Sequence, residues 1–263
     1  MSSSVVISAS RRTDLVGCYP DEFLKRLESY PPEKVHTIVI WTKNPLPLFT
    51  HTALSQRLSS YRQVYIHLTV TGMGGSEFEP RIPACQDIME TVPELIRFVG
   101  SSDRISWRFD PIVHVQKGRN HYSNLRLFES LSQAFASHGI QTVRISWLSL
   151  YKKVIRNLSS IGWESEEISL SQKRKEASWL ETIARKNNQS IHYCCVEGLP
   201  VSRCIDGFML NKLHPERGGC SVKKARGQRK NCGCTESIDI GWYSQVCQHG
   251  CVYCYAHPLR IKT

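Results

Sequence analysis

The chain has 263 residues, 41% of them hydrophobic, which is enough for one large domain with a full core and excludes collagen-like, low-complexity or solenoid-repeat architectures. Its 34 Lys and Arg against 23 Asp and Glu give a net charge of +11, a balance that draws a protein towards polyanions. No apolar run approaches the roughly 20 residues needed to span a bilayer, and the start, Met1 to Ser4, runs into Val5-Val6-Ile7 without a signal-peptide pattern, so a cytoplasmic protein with no membrane partner is expected.

Short β-rich runs recur at residues 5–8, 37–41, 64–69, 105–108, 143–147 and 190–194. Helical spacing lies between them: Phe23, Leu24 and Leu27 after Pro20; Leu54 and Leu58; Leu95, Ile96 and Val99 after Pro93; Leu125, Phe128, Leu131 and Phe135 before Gly139; Trp179, Leu180 and Ile183. Such alternation predicts an α/β fold with parallel strands joined by right-handed crossovers. Six units favour a partial (β/α)6 parallel barrel over residues 1–195, with a doubly wound sheet as the alternative. From about Val196 the pattern gives way to Gly, Pro, Cys and basic residues. Residues 196–263 are therefore read as an irregular Cys-rich lobe that closes the barrel mouth within one integrated domain and is held by metal ligation rather than by a core.

In parallel barrels chemistry gathers at the C-terminal ends of the strands, which singles out the polar residues there. These are Arg11, Arg12 and Asp14 after the first run, Lys43 and Asn44 after the second, Thr69 and Thr71 on the third, Arg108 and Asp110 on the fourth, and Glu197 after the sixth. Arg11, Arg12, Asp14, Arg108 and Asp110 are the candidate catalytic residues, with surface salt bridges as the plain alternative for each. Arg11 and Arg12 could bind an anionic substrate, hydrogen-bond to cluster thiolates, or pair with Asp14. Trp41, Trp107 and Trp147 near strand ends are read as packing, and His67, His114 and His192 as hydrogen-bonded structural histidines. The basic run Lys223, Lys224, Arg226, Arg229 and Lys230 is either a solvated loop or a nucleic-acid contact.

Nine of the eleven cysteines fall between Cys194 and Cys254, and with no export signal they read as metal ligands rather than disulfides. Cys247, Cys251 and Cys254 on one short loop can bind three irons of a 4Fe-4S cluster and leave the fourth iron open. The alternative is zinc, with His249 or His257 as a fourth ligand. Cys195, Cys204, Cys232 and Cys234 are candidate ligands of a second, auxiliary 4Fe-4S cluster. Cys194 and Cys220 are rivals for that role, and zinc or simple packing is the alternative.

The Cys-x3-Cys-x2-Cys spacing with Tyr253 before the last cysteine resembles the signature of the radical S-adenosylmethionine (SAM) superfamily. The phrase Cys247-x-x-Gly250-Cys251-x-Tyr253-Cys254-Tyr255-Ala256 is similar to its spore photoproduct lyase-like branch. So are Thr42-Lys43-Asn44-Pro45, the strand ending Leu68-Thr69-Val70-Thr71, and Glu79-Pro80-Arg81-Ile82-Pro83. The layout as a whole, with Ser8-x-Ser10-Arg11-Arg12-Thr13-Asp14 near the start and the triplet near the end, resembles a bacterial family described only as a domain of unknown function. These resemblances imply a radical SAM-type barrel in which the open iron holds SAM, and in which reductive cleavage gives a 5'-deoxyadenosyl radical that takes hydrogen from an unidentified substrate. They further imply Lys43 on the SAM carboxylate, Thr69 or Thr71 at its polar end, Tyr253 against the adenine, and a low-potential donor such as flavodoxin or ferredoxin. The superfamily normally carries the triplet after its first strand; here it lies at the other end, where a loop leaving the last strand can cross the mouth and arrive beside strand one. The alternative function is a non-catalytic iron-sulfur protein, either an electron carrier or a nucleic-acid-binding sensor. A zinc-dependent barrel enzyme is a further reading.

Overall fold

The computed structural model describes residues 4–242 and 244–259; the extreme N-terminal residues that enter the signal-peptide reading lie partly outside this range. In chain order the elements are β1 (Val5–Ala9), α1 (Leu15–Cys18), α2 (Pro20–Leu27), β2 (Val35–Thr42), α3 (Pro47–Thr50), α4 (Thr52–Ser59), β3 (Val64–Thr69), α5 (Cys85–Val99), β4 (Ile105–Ile112), β5 (His114–Lys117) and β6 (Asn120–Ser123). There follow α6 (Phe128–Ser137), β7 (Thr142–Trp147), α7 (Lys152–Ser160), β8 (Glu164–Ser165), α8 (Leu170–Lys186), β9 (Ser190–Tyr193), α9 (Gly207–Leu213) and β10 (Ile238–Asp239). All six predicted strands are present, as β1, β2, β3, β4, β7 and β9.

They form one seven-stranded sheet in the order β10-β1-β2-β3-β4-β7-β9, every described pairing parallel. The order never reverses, so the switch point that defines a doubly wound sheet is absent among the described strands. The sheet is not closed: β10 and β9 are its edges. β5, β6 and β8 make a separate antiparallel ribbon, which β-rich patterning did not reveal because each is four residues or fewer and half exposed.

Alternation along the strands explains how two layers share the sheet. On β2, Ile38 and Ile40 face the helices with Leu54, Leu58 and Phe23, while Val39 and Trp41 face the other way against Cys204, Ile205 and Leu210. All eight residues of β2 are buried, as expected of a strand covered on both faces. The region predicted to be an irregular lobe is thus divided. Residues around 204–220 lie on the sheet face opposite the main core, where His67 Nε2 meets the Cys204 carbonyl at 2.9 Å and Gln63 donates to the Leu210 carbonyl at 3.0 Å. This region also contributes α9 and β10, which extends the sheet beside β1. α5 begins at Cys85, not after Pro93, because Ile88, Val92, Leu95 and Val99 form one buried stripe whose packing outweighs the missing proline N–H.

Candidate functional site

The loop carrying the triplet lies across the C-terminal ends of the parallel strands. Asp14, just past β1, holds it there: one carboxylate oxygen caps α1 by accepting from Gly17 N at 2.7 Å, and the other accepts from Thr42 Oγ1 at 2.9 Å, Lys43 N at 2.8 Å and His249 Nε2 at 2.8 Å. Its carboxyl is held below the ordinary range, because the His249, Gly17 and Lys43 hydrogen bonds outweigh the desolvation that would raise it. Asp14 is therefore an anchor between β1, β2 and the triplet loop, not the partner of Arg11 or Arg12 that its sequence position allows. On its far side the loop is tied by Val252 N to the Phe78 carbonyl at 3.0 Å, and by Asn157 and Lys153 of α7 to the Val252 and Ala256 carbonyls.

Beside Cys251, a buried carboxylate gathers the residues expected at the SAM end of the site. Glu79 accepts from Lys43 Nζ at 2.7 Å, from Thr71 Oγ1 at 2.6 Å and from the Tyr253 hydroxyl, and Lys43 Nζ is also 3.0 Å from Tyr253 Oη. Burial alone would lower the Lys43 ammonium's pKa; Glu79 reverses that and raises it. Thr71 lies beyond the end of β3 and is buried against Glu79, whereas Thr69 at the strand end faces a cavity.

That cavity, of about 190 Å³, is lined by Arg11 after β1, Lys43 after β2, Thr69 of β3, Arg108 and Asp110 of β4, Ser146 and Trp147 of β7 and Cys194 after β9, with Tyr253 and Cys254 from the triplet loop. Arg108 pairs with Asp110, which also accepts from Ser146. A second cavity of about 400 Å³ shares Arg11, Arg108, Cys194, Arg229 and Tyr255 with the first and adds Arg12 and the thiols of Cys195, Cys204, Cys232 and Cys234. Glu197 lines a third, of about 310 Å³, next to Cys194 and Cys195.

The thiols fall into two groups. In the first, Cys247 and Cys251 are buried and Cys254 half-buried on one loop. Cys18, which no sequence motif pointed to, lies at the end of α1 with its Sγ 4.0 Å from Cys247 Sγ. The Cys18 hydrogen bond, helped by His249, pulls the Cys247 thiol down to about 6, while burial pushes Cys251 and Cys254 up.

In the second group Cys204 Sγ is 3.6 Å from Cys194 Sγ, Cys195 contacts Cys194 and Cys232, and the Cys204 and Ile205 amides donate to Cys234 Sγ. The four predicted ligands Cys195, Cys204, Cys232 and Cys234 are brought together, and Cys194 joins them. Cys220 stands apart, its thiol directed at the Gly207 carbonyl. Hydrogen bonds from Cys194 and then Cys232, with Arg229 nearby, lower the Cys195 thiol to about 3. The contacts are pairwise, and among the described residues no three His, Cys, Asp or Glu side chains form a group that could hold a single metal ion.

One buried cation bears on what these thiols could hold. Arg144 of β7 is only 2% exposed, and its Nε and Nη1 have no hydrogen-bond partner. Burial alone would lower its pKa, but Tyr65 and the thiols of Cys204 and Cys194 outweigh that and raise it. A buried guanidinium with two nitrogens left without partners is costly unless an anion faces it, and a thiolate-ligated cluster is such an anion. A thiolate centre at Cys194 and Cys204 would therefore face a buried cation.

His67 is held between Ser106 and the Cys204 carbonyl and Trp107 stacks on Phe128 and Phe135, both structural uses, while His114 pairs with Glu176 and also lines the 310 Å³ cavity. Trp41 differs: it stacks on His67 but also lines the larger cavity, with the Arg11 guanidinium 5.8 Å from its ring centre. Sequence reasoning missed Cys18, considered His249 only as a zinc ligand and not as the partner of Asp14, and read Arg229 as part of a solvated loop or nucleic-acid contact, although it lines all three cavities at the strand ends.

A family model described as a domain of unknown function (DUF1848) matches residues 28–256, most of the chain, which therefore belongs to that family. No curated protein matches it.

Proposed function

We propose that this member of the DUF1848 family is a radical SAM-type iron-sulfur enzyme built on a strongly curled, partial (β/α)6 barrel. The observation that carries the reading is that one cavity of about 190 Å³ is walled by groups from the C-terminal ends of all six predicted strands and by the triplet loop. In a flat sheet the first and sixth of those strands, five spacings apart, would be separated by about 24 Å, so the small cavity they share supports a curled sheet. Catalytic cavities of parallel barrels lie at that end.

Cys247, Cys251 and Cys254 would hold a 4Fe-4S cluster, and the second thiol group a further one. Together with SAM, the first supplies one-electron chemistry when bound. The chain's own residues prepare the site. Asp14 and His249 fix the triplet loop, while Glu79 holds Lys43 and Tyr253 at the wall where a SAM carboxylate or amine would bind. Arg108 and Asp110 set polar groups opposite them. The body around the cavity would exclude water, and a low-potential flavodoxin or ferredoxin would supply electrons. In the absence of any helix among the described residues that could cross a membrane, a cytoplasmic location is part of the same proposal.

A second reading has its own support: Cys18 beside Cys247 offers a fourth thiolate, which would close the cluster and make the protein a carrier or sensor. Anaerobic iron and sulfide analysis of the wild type and a Cys251→Ala variant tests the two-centre assignment. About eight irons per chain, falling to about four in the variant, is the expected result. Iron below about one per chain in a folded wild type would refute it.

A further inference from the structure

The second thiol group lies between two cations from different parts of the chain. On the sheet side is Arg144 of β7, in register with Arg108 of β4 and His192 of β9. Its strand neighbours Val143 and Ile145 pack into the main core, so strand alternation puts Arg144 on the opposite face, where Tyr65 packs with Cys204, Cys232 and Cys234. Cys194 follows β9 directly, and its amide donates to the Ile145 carbonyl at 2.8 Å. On the loop side is Arg229, which lines the cavity walled by these thiols. The thiols of Cys204 and Cys194 act on the charge of Arg144, and those of Cys195 and Cys194 on the charge of Arg229.

Neither arginine makes a salt bridge among the described residues, whereas Arg108 is paired with Asp110. The Nε and Nη1 donors of Arg144 are buried, and each costs free energy until an acceptor reaches it. Beside the triplet the charges are matched instead: His249 has Asp14 at 2.8 Å, and the Lys43 ammonium has Glu79 at 2.7 Å. One thiol group thus sits in a cation-rich setting and the other in a balanced one.

We infer that Arg144 donates to the sulfurs on the Cys194 and Cys204 side of the second cluster and, with Arg229, holds that cluster's reduction potential above that of the triplet cluster. A thiolate-ligated cluster is a net anion and becomes more negative when it takes up an electron. Facing cations and hydrogen bonds to its sulfurs therefore stabilise the reduced form more than the oxidised one. The second centre is then the first to be reduced. It is an electron-holding site beside the 190 Å³ cavity, whose wall includes Cys194, rather than a structural staple. This inference rests on the two-centre reading proposed above.

The test is a potentiometric titration of the full-length, anaerobically purified protein without SAM, followed by electron paramagnetic resonance. In the wild type the signal of the second centre should appear before that of the triplet as the potential is lowered. The Cys251→Ala background isolates the second centre for comparison of variants. There Arg144→Met should shift the one-electron reduction equilibrium about tenfold or more towards the oxidised form, a fall of about 60 mV in midpoint. Arg144→Lys keeps the charge but not the fork, and should fall between the two. Loss of the second centre's iron from Arg144→Met but not from Arg144→Lys would support the same role for the charge. A midpoint in Arg144→Met equal to that of its parent overturns the inference, as does a triplet signal that appears first in the wild type. So does equal loss of iron from both variants, which would make the shape of the side chain the requirement. Cys251→Ala protein without iron would remove the two-centre reading and this inference with it, whereas about four irons with a midpoint indifferent to Arg144 would leave that reading standing and defeat the inference alone.

Discussion

Replacing Asp14 with alanine tests the anchor on which the site depends. Its carboxylate accepts four hydrogen bonds, from Gly17, Thr42, Lys43 and His249, at 2.7 to 2.9 Å. Each such bond to a charged acceptor contributes about 1.5–3 kcal/mol, and removing the acceptor leaves the donors buried. Partial collapse and water entry reduce the sum, so we expect a loss of about 3–5 kcal/mol, the range for breaking a buried ion pair. That is a fifth or more of the stability of a typical domain, about 5–15 kcal/mol. Asp14→Asn should cost less, because it can still cap Gly17, but its amide must face the other donors. Urea unfolding followed by far-ultraviolet circular dichroism measures both variants. A loss below about 1 kcal/mol in Asp14→Ala would refute the anchoring role.

Gly17→Ala should part the same pair by steric means, since its methyl would sit 2.8 Å from Asp14 Oδ2 and 2.9 Å from His249 Nε2; a cost of about 1–3 kcal/mol in urea is expected. Glu79→Gln leaves the Lys43 ammonium without its carboxylate and should cost about 3 kcal/mol, with a Glu79→Gln/Lys43→Met double variant recovering part of it in a double-mutant cycle. Glu176 is buried, which would raise its carboxyl, but hydrogen bonds from His114, Trp147 and Gln172 bring it below the ordinary value of 4.5. Its folded value lies below its unfolded one, so its stabilisation is complete above pH 4.5 and is lost as pH falls through the folded value. Glu176→Gln should therefore lower the urea midpoint at pH 7 and flatten its decline in acid; parallel curves for variant and wild type would contradict this.

The parallel sheet was legible because its central strands β2 and β3 are apolar-rich and buried throughout, and because strands alternate with amphipathic helices. Thr37-Ile38-Val39-Ile40-Trp41 needs no context to be read as a strand. The ribbon of β5, β6 and β8 was not legible, since its short half-exposed strands carry no period. The candidate site was legible where spacing alone carries the chemistry, as in Cys247-x3-Cys251-x2-Cys254. It was hidden where a group works through distant partners. Cys18 meets Cys247 across 229 positions, and Asp14 meets His249 across 235, neither of which a local motif can encode. Arg229 was obscured by its neighbours: a run of basic residues looks solvated, and only the fold shows that one of them lines the cavities.

The central claim is that the triplet loop carries a cluster with one iron open to SAM. Electron paramagnetic resonance of the reduced protein with and without SAM, on wild type and a Cys18→Ala variant, addresses it most directly. The account predicts a cluster signal whose g-values shift on adding SAM in both proteins. A signal indifferent to SAM in the wild type that becomes responsive in Cys18→Ala would show that Cys18 closes the cluster, and one indifferent in both would contradict the claim.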